Sequence, residues 1–344
     1  MSEMKSLAKD TAIYGVSSIV GKFLNYLLVP LYTYVLKQTA DYGIVTNLYA
    51  WTALLLVVLT YGMETGFFRF ANREDQDAPS VYKTAFLCLL TSSAVFAALV
   101  VLLRQPIAGA LGYADHAEFV AMMFVTVAID AFACIPFAYL RQQKRSLLFA
   151  GLKLLFVLLN IAFNLLFLVV LGKNDVFYVF LSNILATTIQ TLVLLPFTLP
   201  KGGRFDGAVL RQMLRYSLPL LVLGVAGIMN QTLDRILFPY LYAGADAQAQ
   251  LGIYGACFKV AMVMMMFTQA FRYAYEPFVF SKHKDRQSVE AYADAMKYYI
   301  IFSYLILLGV IFYLDIFRYI VSSAYWEGLK IVPVVLWTYV FQGI

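Results

Sequence analysis

The sequence predicts an all-α polytopic membrane protein, and three observations support this prediction. Hydrophobic residues make up 62% of the chain and charged residues only 13%, whereas an ordinary soluble domain has about 25% charged residues. The mean hydropathy is +0.76. Apolar runs of about 20 residues, the length of a membrane-crossing helix, recur along the chain. No connector between them exceeds about twenty residues, which leaves no room for a separate soluble domain.

Ten membrane spans are predicted, because ten segments are apolar over about 20 residues and most charged residues lie in the connectors between them. The first is an uncleaved span rather than a signal peptide, since it carries polar residues on one stripe and no small-residue cleavage site follows it. In chain order the spans are Thr11–Leu36, Ile44–Phe70, Thr84–Leu103, Glu118–Leu140, Leu147–Leu171, Val176–Leu199, Leu218–Tyr242, Ile253–Phe280, Tyr298–Phe317 and Ile331–Ile344.

Basic residues in the connectors are distributed unequally between the two sides of the membrane. One side receives sixteen, namely Lys5, Lys9, Arg73, Lys83, Arg141, Lys144, Arg145, Lys153, Lys201, Arg204, Arg211, Arg215, Lys282, Lys284, Arg286 and Lys297. The other side receives five, namely Lys37, Arg104, Lys173, Arg318 and Lys330. Short cytoplasmic loops are enriched in Lys and Arg, so the N-terminus is predicted to be cytoplasmic.

Several classes of function are disfavoured by the sequence. The net charge of +6 comes from connector residues on one side, which indicates topology rather than a nucleic-acid surface. The three cysteines, Cys88, Cys134 and Cys257, lie in apolar runs, and the two histidines are far apart, so neither disulfides nor a metal site is expected. The outer connectors are too short to build the active site of a membrane polymerase or ligase. We therefore expect neither an enzyme nor a bound cofactor.

A weak internal repeat appears when the first span is laid on the seventh. The aligned pairs are Asn25 with Asp234, Tyr26 with Arg235, Pro30 with Pro239, and Tyr42-Gly43 with Tyr254-Gly255. A unit of six spans predicts an N-terminal lobe at 1–199, a cytoplasmic linker at 200–215 and a C-terminal lobe at 216–344, related by an axis along the membrane normal. Only four spans follow the linker, so we expect the native chain to continue with at least two more.

Charged residues at membrane depth are the first functional candidates. Asp234 and Arg235 lie inside the seventh span, although a charge at mid-bilayer costs about 2.5 to 3.5 kcal/mol on insertion scales. Such charges persist mainly where they face a polar cavity or a partner. The others at this depth are Lys22, Glu64, Arg69, Asp130, Lys259, Arg272 and Glu276.

Polar residues also recur at helical spacing and form stripes. Lys22 and Asn25 share one in the first span, with Tyr14 and Ser18. The other stripes are Lys153, Asn160 and Asn164 in the fifth span, Asn183, Thr187 and Gln190 in the sixth, and Gln269, Arg272 and Glu276 in the eighth. Each stripe could line a polar path or hold neighbouring helices together by hydrogen bonds, and the sequence leaves both open.

Three short motifs carry a family resemblance. Leu28-Val29-Pro30-Leu31-Tyr32-Thr33 ends the first span, Asp41-Tyr42-Gly43-Ile44 opens the second, and Asp234-Arg235 lies in the seventh. In this order they resemble Wzx-type bacterial polysaccharide exporters, which belong to the superfamily of MATE drug antiporters and lipid II flippases. The resemblance implies a MATE-like two-lobe helical transporter, with twelve or more spans and a cationic lumen, in the bacterial inner membrane.

The resemblance also implies a substrate and roles for the candidate residues. It implies that undecaprenyl-pyrophosphate-linked oligosaccharide is moved from the cytoplasmic to the periplasmic leaflet, among membrane lipids and beside polysaccharide polymerase or chain-length machinery. Cations suited to the pyrophosphate are Lys22, Arg69, Arg235, Lys259 and Arg272. Polar lumen candidates are Asn25, Asn160, Asn164 and Gln269, and carboxylates that could couple transport to H⁺ or Na⁺ are Glu64, Asp130, Asp234 and Glu276.

Two related functions remain open at this point. A MATE-like exporter of organic cations would have the same fold and a lumen rich in acids and aromatic residues, and a lipid II-type flippase would share both fold and lipid carrier. The charges at membrane depth are five basic against four acidic, which favours an anionic substrate only slightly. The three motifs favour the polysaccharide exporter more than this count does.

Overall fold

The computed structural model describes residues 26–281 and 288–343, together with Gly15, Val20, Gly21, Phe23 and Leu24. Side chains are described for these residues except at 273, 274, 276–281 and 288–291. Lys22 and Asn25, two of the predicted site residues, lie outside the described residues. Of Glu276 only the backbone is described.

Regular structure in the described residues is helical throughout. The α-helices are α1 (Leu28–Val35), α2 (Thr39–Thr60), α3 (Met63–Ala71), α4 (Ala78–Leu102), α5 (Arg104–Ala110), α6 (Ala117–Gln142), α7 (Ser146–Asn164), α8 (Val176–Thr198), α9 (Gly207–Leu241), α10 (Ala247–Val260), α11 (Met262–Ser281), α12 (Ser288–Phe312), α13 (Leu314–Phe317) and α14 (Val332–Gly343). A π-helical turn, Leu165–Val170, continues α7, and 3₁₀ turns occupy Ala114–His116, Arg318–Ile320 and Ser323–Ile331.

Seven of the described helical segments are long and apolar enough to cross a membrane. They are Thr39–Ala71, Ala78–Leu102, Ala114–Gln142, Ser146–Val170, Val176–Thr198, Gly207–Leu241 and Tyr292–Phe312. An eighth crossing is formed if Ala247–Val260 and Met262–Arg272, bent by 45° at their junction, are one span. These eight match the second to the ninth predicted spans. The described part of the first is α1, and the tenth is the 12-residue α14.

The starts of three helices follow from aspartates at their N-caps. The Asp77 carboxylate accepts a hydrogen bond from the backbone amide of Ser80 at 3.1 Å. In the same way Asp175 accepts one from the amide of Phe177 at 2.7 Å, and Asp206 accepts one from the amide of Ala208 at 2.8 Å. An N-cap carboxylate satisfies amide groups that have no partner inside the helix. The cap at Asp206 starts α9 eleven residues before the predicted Leu218, so Arg211 and Arg215 lie on a helix rather than in a connector.

By contact density the chain divides into two compact units. Unit 1 contains Ile44–Ala243, and unit 2 contains Gly15–Gly43 with Gly244–Ile344. The units differ from the predicted lobes, because the sixth and seventh predicted spans lie together in unit 1. This division reflects packing and does not test the repeat, so the lobes 1–199 and 216–344 stay a prediction.

Unit 1 has its densest packing where α3, α4, α6 and α9 meet. Large side chains such as Phe67, Leu89 and Ile135 are fully buried there. Helix α3 approaches α9 closely, because a Cβ at Gly66 would lie only 2.5 Å from the Ser217 hydroxyl. This packing fixes the short α3, which carries one of the candidate carboxylates.

Unit 2 contains a close crossing between the start of α2 and α10. A Cβ at Gly43 would collide with the Gln248 carbonyl, and a Cβ at Gly252 would collide with the Thr39 carbonyl. Two glycines therefore let the helix backbones touch, as small residues commonly do in membrane helix pairs.

Candidate functional site

A charged cavity lies inside unit 1, among helices that are otherwise apolar. Its volume is ≈ 560 Å³, within the range of small-molecule sites. Residues from α2, α3, α6, α7 and α8 line it, namely Leu56, Val57, Thr60, Glu64, Asp130, Ala133, Cys134, Phe137, Arg141, Phe149, Lys153, Phe156 and Gln190. Two carboxylates and two cations thus share one cavity.

The first charged pair joins α3 to the last turn of α6. An Arg141 guanidinium nitrogen forms an ion pair with Glu64 Oε1, and the thiol of Cys134 donates to Glu64 Oε2 at 3.2 Å. The guanidinium also lies over the rings of Phe68, at 5.0 Å, and Phe149, at 5.9 Å. An arginine held by a carboxylate and two aromatic faces loses little freedom on binding a further oxygen ligand.

Two further opposite charges are those of Asp130 on α6 and Lys153 on α7. Both side chains line the cavity, and their charges attract each other. The ammonium of Lys153 lies 3.9 Å from the centre of the Phe137 ring. Beside it, Gln190 Nε2 donates to the Leu152 carbonyl at 2.8 Å, which leaves the amide oxygen of Gln190 to accept another bond.

This arrangement has two chemical capabilities. The two carboxylates and the two cations balance in charge. A phosphate-bearing ligand could bind Lys153, because an ammonium binds phosphate as a point charge. A cation or a proton could instead bind Asp130. Binding at Lys153 or at Asp130, while Glu64 and Arg141 stay paired, is the simplest binding event that this geometry permits.

The structure brings two predicted site residues, Glu64 and Asp130, into this cavity. Arg69, on the same helix as Glu64, is exposed and lies over the Tyr216 ring at 4.2 Å. It does not line the cavity, so its contact with substrate stays a prediction.

Asn160 and Asn164 on α7 are buried and bonded to each other rather than lining the cavity. Asn164 Nδ2 donates to the Asn160 carbonyl at 2.7 Å and to its Oδ1 at 3.1 Å. These bonds lie within α7 and join it to no other helix, so both interpretations of the stripe stay predictions at the asparagines. Lys153, on the same stripe, lines the cavity.

Asp234 and Arg235 lie near the C-terminal end of α9, in unit 1. Arg235 Nε approaches Asp234 Oδ1 at 3.4 Å, and its guanidinium also donates to the Gln231 carbonyl. Asp234 borders an open apolar groove formed by Leu233, Leu237, Phe238, Leu241 and Tyr242. The pair is therefore separate from the charged cavity within unit 1.

The remaining candidates belong to unit 2. Lys259, near the end of α10, and Gln269, on α11, are partly buried, whereas Arg272 on α11 is exposed. Their roles as lumen residues stay predictions.

Two cavity cations were misassigned by the sequence analysis. Arg141 and Lys153 were counted as connector residues, but Arg141 lies in the last turn of α6 and Lys153 lies two turns inside α7. The signal for Lys153 was its place on a stripe. Arg141 gave no local signal, because its partner Glu64 is far away in the sequence.

Residues 7–278 match the family described as "Polysaccharide biosynthesis protein". No curated protein shows significant similarity to the chain.

Solved structures with the same fold are MATE and related transporters. An inward-facing multidrug resistance MATE family transporter of the MOP superfamily aligns with a TM-score of 0.71 at 13% identity, over 93% of this chain and 80% of that one. The MATE multidrug transporter DinF-BH aligns with a TM-score of 0.68 at 16% identity, over 97% of this chain and 80% of that one.

A MOP superfamily transporter from Pyrococcus furiosus, described as having a binding pocket of reverse polarity, aligns with a TM-score of 0.61 at 14% identity, over 98% of this chain and 82% of that one. Family and fold are those of membrane transporters and flippases. The chain is thus a multi-pass membrane protein with the helical fold of MATE transporters, and it belongs to the polysaccharide biosynthesis protein family.

Proposed function

We propose that this protein is a flippase that moves undecaprenyl-pyrophosphate-linked oligosaccharide from the cytoplasmic to the periplasmic leaflet, by alternating access, for surface polysaccharide synthesis. In this proposal it lies in the bacterial inner membrane with a cytoplasmic N-terminus. The observation that supports it best is the pair of cations, Arg141 and Lys153, in the cavity of a chain of this family. Fixed cations in a medium of low dielectric constant are what a membrane-crossing pyrophosphate requires.

The paired carboxylates give the proposal a way to couple transport to an ion gradient. When phosphate oxygens bind Lys153, they offset the positive charge that attracts Asp130, and the Asp130 carboxylate would then be left uncompensated in the cavity, which is costly. Uptake of H⁺ or Na⁺ by Asp130 would restore neutrality. Glu64 is a less suitable coupling residue, because Arg141 and Cys134 both hold it.

A MATE-like exporter of organic cations is the second candidate. Glu64 and Asp130 share the cavity with the aromatic rings of Phe137, Phe149 and Phe156, and carboxylates with aromatic faces are typical of cation sites. The two candidate functions differ in which residue binds the substrate: Lys153 would bind an anionic substrate, and Asp130 would bind a cationic one.

Neutralising these two residues separately tests the proposal. We expect Lys153→Gln to lower export about ten- to a hundredfold, since a charge-assisted contact contributes about 1.5 to 3 kcal/mol, with lipid-linked oligosaccharide accumulating on the cytoplasmic face. Lys153→Arg should retain more export, and Lys201→Gln, which removes an exposed connector lysine, should have no effect. Protein amount is measured in each variant.

Unchanged oligosaccharide export in Lys153→Gln, together with loss of organic-cation efflux in Asp130→Asn, would favour the cation exporter instead. The flippase is supported if the wild-type chain restores surface polysaccharide to a flippase-deficient strain and the Lys153→Gln variant does not.

A further inference from the structure

Near the C-terminal end of α9, a proline leaves one backbone carbonyl without its usual hydrogen bond within the helix. Pro239 lies inside this helix, and proline has no amide hydrogen. In an α-helix the carbonyl of each residue accepts from the amide four positions later, so the carbonyl without its donor is that of Arg235. Inside a membrane such a carbonyl needs another donor, because lipid supplies none.

The side chain of Asn47 on α2 supplies this donor. Its Nδ2 donates to the Arg235 carbonyl at 2.7 Å, and its Oδ1 accepts from the Tyr113 hydroxyl at 2.8 Å. Asn47 and Tyr113 are 2% and 4% exposed. Since a carbonyl can only accept, the two partners fix the orientation of the amide group. All three residues belong to unit 1.

The same end of α9 has a second link to the chain around Tyr113. The hydroxyl of Tyr240, one residue after the proline, contacts the Leu111 carbonyl at 3.5 Å. The proline-containing part of α9, which carries Asp234 and Arg235, is therefore held at two points, by Asn47 at the Arg235 carbonyl and by the Leu111 carbonyl at Tyr240.

We propose that Asn47 is a positioning residue: its amide replaces the hydrogen bond that Pro239 removes from α9 and thereby fixes the orientation of the Asp234–Arg235 pair. The structural part of this inference is independent of any substrate. Its consequence for transport rests on the proposed function and on the prediction from the sequence that Arg235 contacts the pyrophosphate.

A double-mutant cycle with the proline tests the structural part. Asn47→Leu should lower the melting temperature of the purified protein by about 3 °C or more, because a buried carbonyl loses its partner. In a Pro239→Ala background the amide of the introduced alanine can donate to the Arg235 carbonyl, so Asn47→Leu should then lower the melting temperature clearly less than in the wild type. The loss that remains is that of the bond from the Tyr113 hydroxyl to Asn47.

Pro219→Ala is the matched control, because Pro219 is a second proline inside α9 and it lies about four turns away from the Arg235 carbonyl. Asn47→Leu should lower the melting temperature as much in that background as in the wild type. An equal lowering in all three backgrounds would overturn the proposal, since it would then come from packing and from the lost Tyr113 bond alone.

Export measured at matched protein amount tests the positioning part. We expect Asn47→Leu to lower export about tenfold and Asn47→Leu with Pro239→Ala to recover most of it. Normal export by Asn47→Leu at matched protein amount would overturn the positioning role. Failure of the wild type to export any oligosaccharide would refute the proposed function, while the melting temperatures would still decide whether Asn47 serves the proline carbonyl.

Discussion

At the residue scale, the ion pair between Glu64 and Arg141 fixes two helices that otherwise meet through apolar contacts. About a third of each side chain is exposed, 37% for Glu64 and 34% for Arg141. A fully buried pair that loses one member costs about 3 to 5 kcal/mol, whereas an exposed pair contributes about 1 kcal/mol or less. This pair lies between the two limits.

We therefore expect Glu64→Gln and Arg141→Gln each to lower the free energy of unfolding by about 1 to 2 kcal/mol. The double variant should lose less than the sum of the two, because it leaves no unpaired charge. Melting temperatures measured in detergent check this. Additive losses would show that the two residues stabilise the protein independently.

A second prediction concerns Arg235, because two interpretations of its role predict different export by one double variant. If Arg235 contacts the pyrophosphate, Arg235→Gln should lower export about ten- to a hundredfold, and Arg235→Lys should lower it less, since the charge remains and the fork geometry does not. If it only neutralises Asp234, which lies 3.4 Å away, Asp234→Asn should restore export to Arg235→Gln. Surface polysaccharide and protein amount are measured together, and such restoration would exclude the substrate contact.

At the element scale, the crossing of α2 and α10 depends on the absence of two side chains. Gly43→Ala and Gly252→Ala would each place a methyl group against a backbone carbonyl. A backbone cannot move aside as a flexible side chain does, so we expect overpacking to cost about 1 to 3 kcal/mol. Thermal unfolding of the two variants measures this cost.

Gly227→Ala is the control for this element, because it lies in α9 with nothing within 4 Å of its Cβ position. Replacing a helical glycine at an open position should stabilise by about 0.4 to 1 kcal/mol. A loss of stability in Gly227→Ala as large as in Gly252→Ala would mean that glycine itself, and not the crossing, is required.

The sequence predicts the helices better than it predicts the charged cavity. Hydropathy located the eight central spans, because burial in lipid leaves an apolar run that does not depend on distant contacts. It placed the start of α9 too late, since Asp206 caps a polar first turn that carries no hydropathy signal. It also missed Arg141, whose role depends on Glu64 and on how α3 packs. Helical spacing did place Lys153 on a polar stripe, but spacing does not tell which stripe residue faces a cavity.

At the scale of the whole molecule, the sixteen-to-five distribution of basic residues predicts topology. We expect reporter fusions after Gly202 and Asp285 to report cytoplasm and fusions after Gly172 and Ala247 to report the outer side. Among the described residues, six of the sixteen lie on α-helices and not in a connector, namely Lys83, Arg141, Lys153, Arg211, Arg215 and Lys297, and on the other side Arg104 does. Removing these residues from the count still leaves ten against four. A cytoplasmic signal from the Ala247 fusion would show that the span count through α9 is wrong.

The connector between α8 and α9 has a practical consequence for anyone who wishes to divide or tag this chain. It is tied to α4 by bonds from Lys83 to the Gly203 carbonyl at 3.2 Å and from the Arg204 amide to Ser80 at 2.9 Å. Gly203, with φ of +69°, fits against the backbone of Pro79. An epitope or protease site inserted here would break these contacts, although the segment has the composition of a flexible tether. The exposed loop at Gly172, where a Cβ would meet nothing within 4 Å, is the safer place for a label.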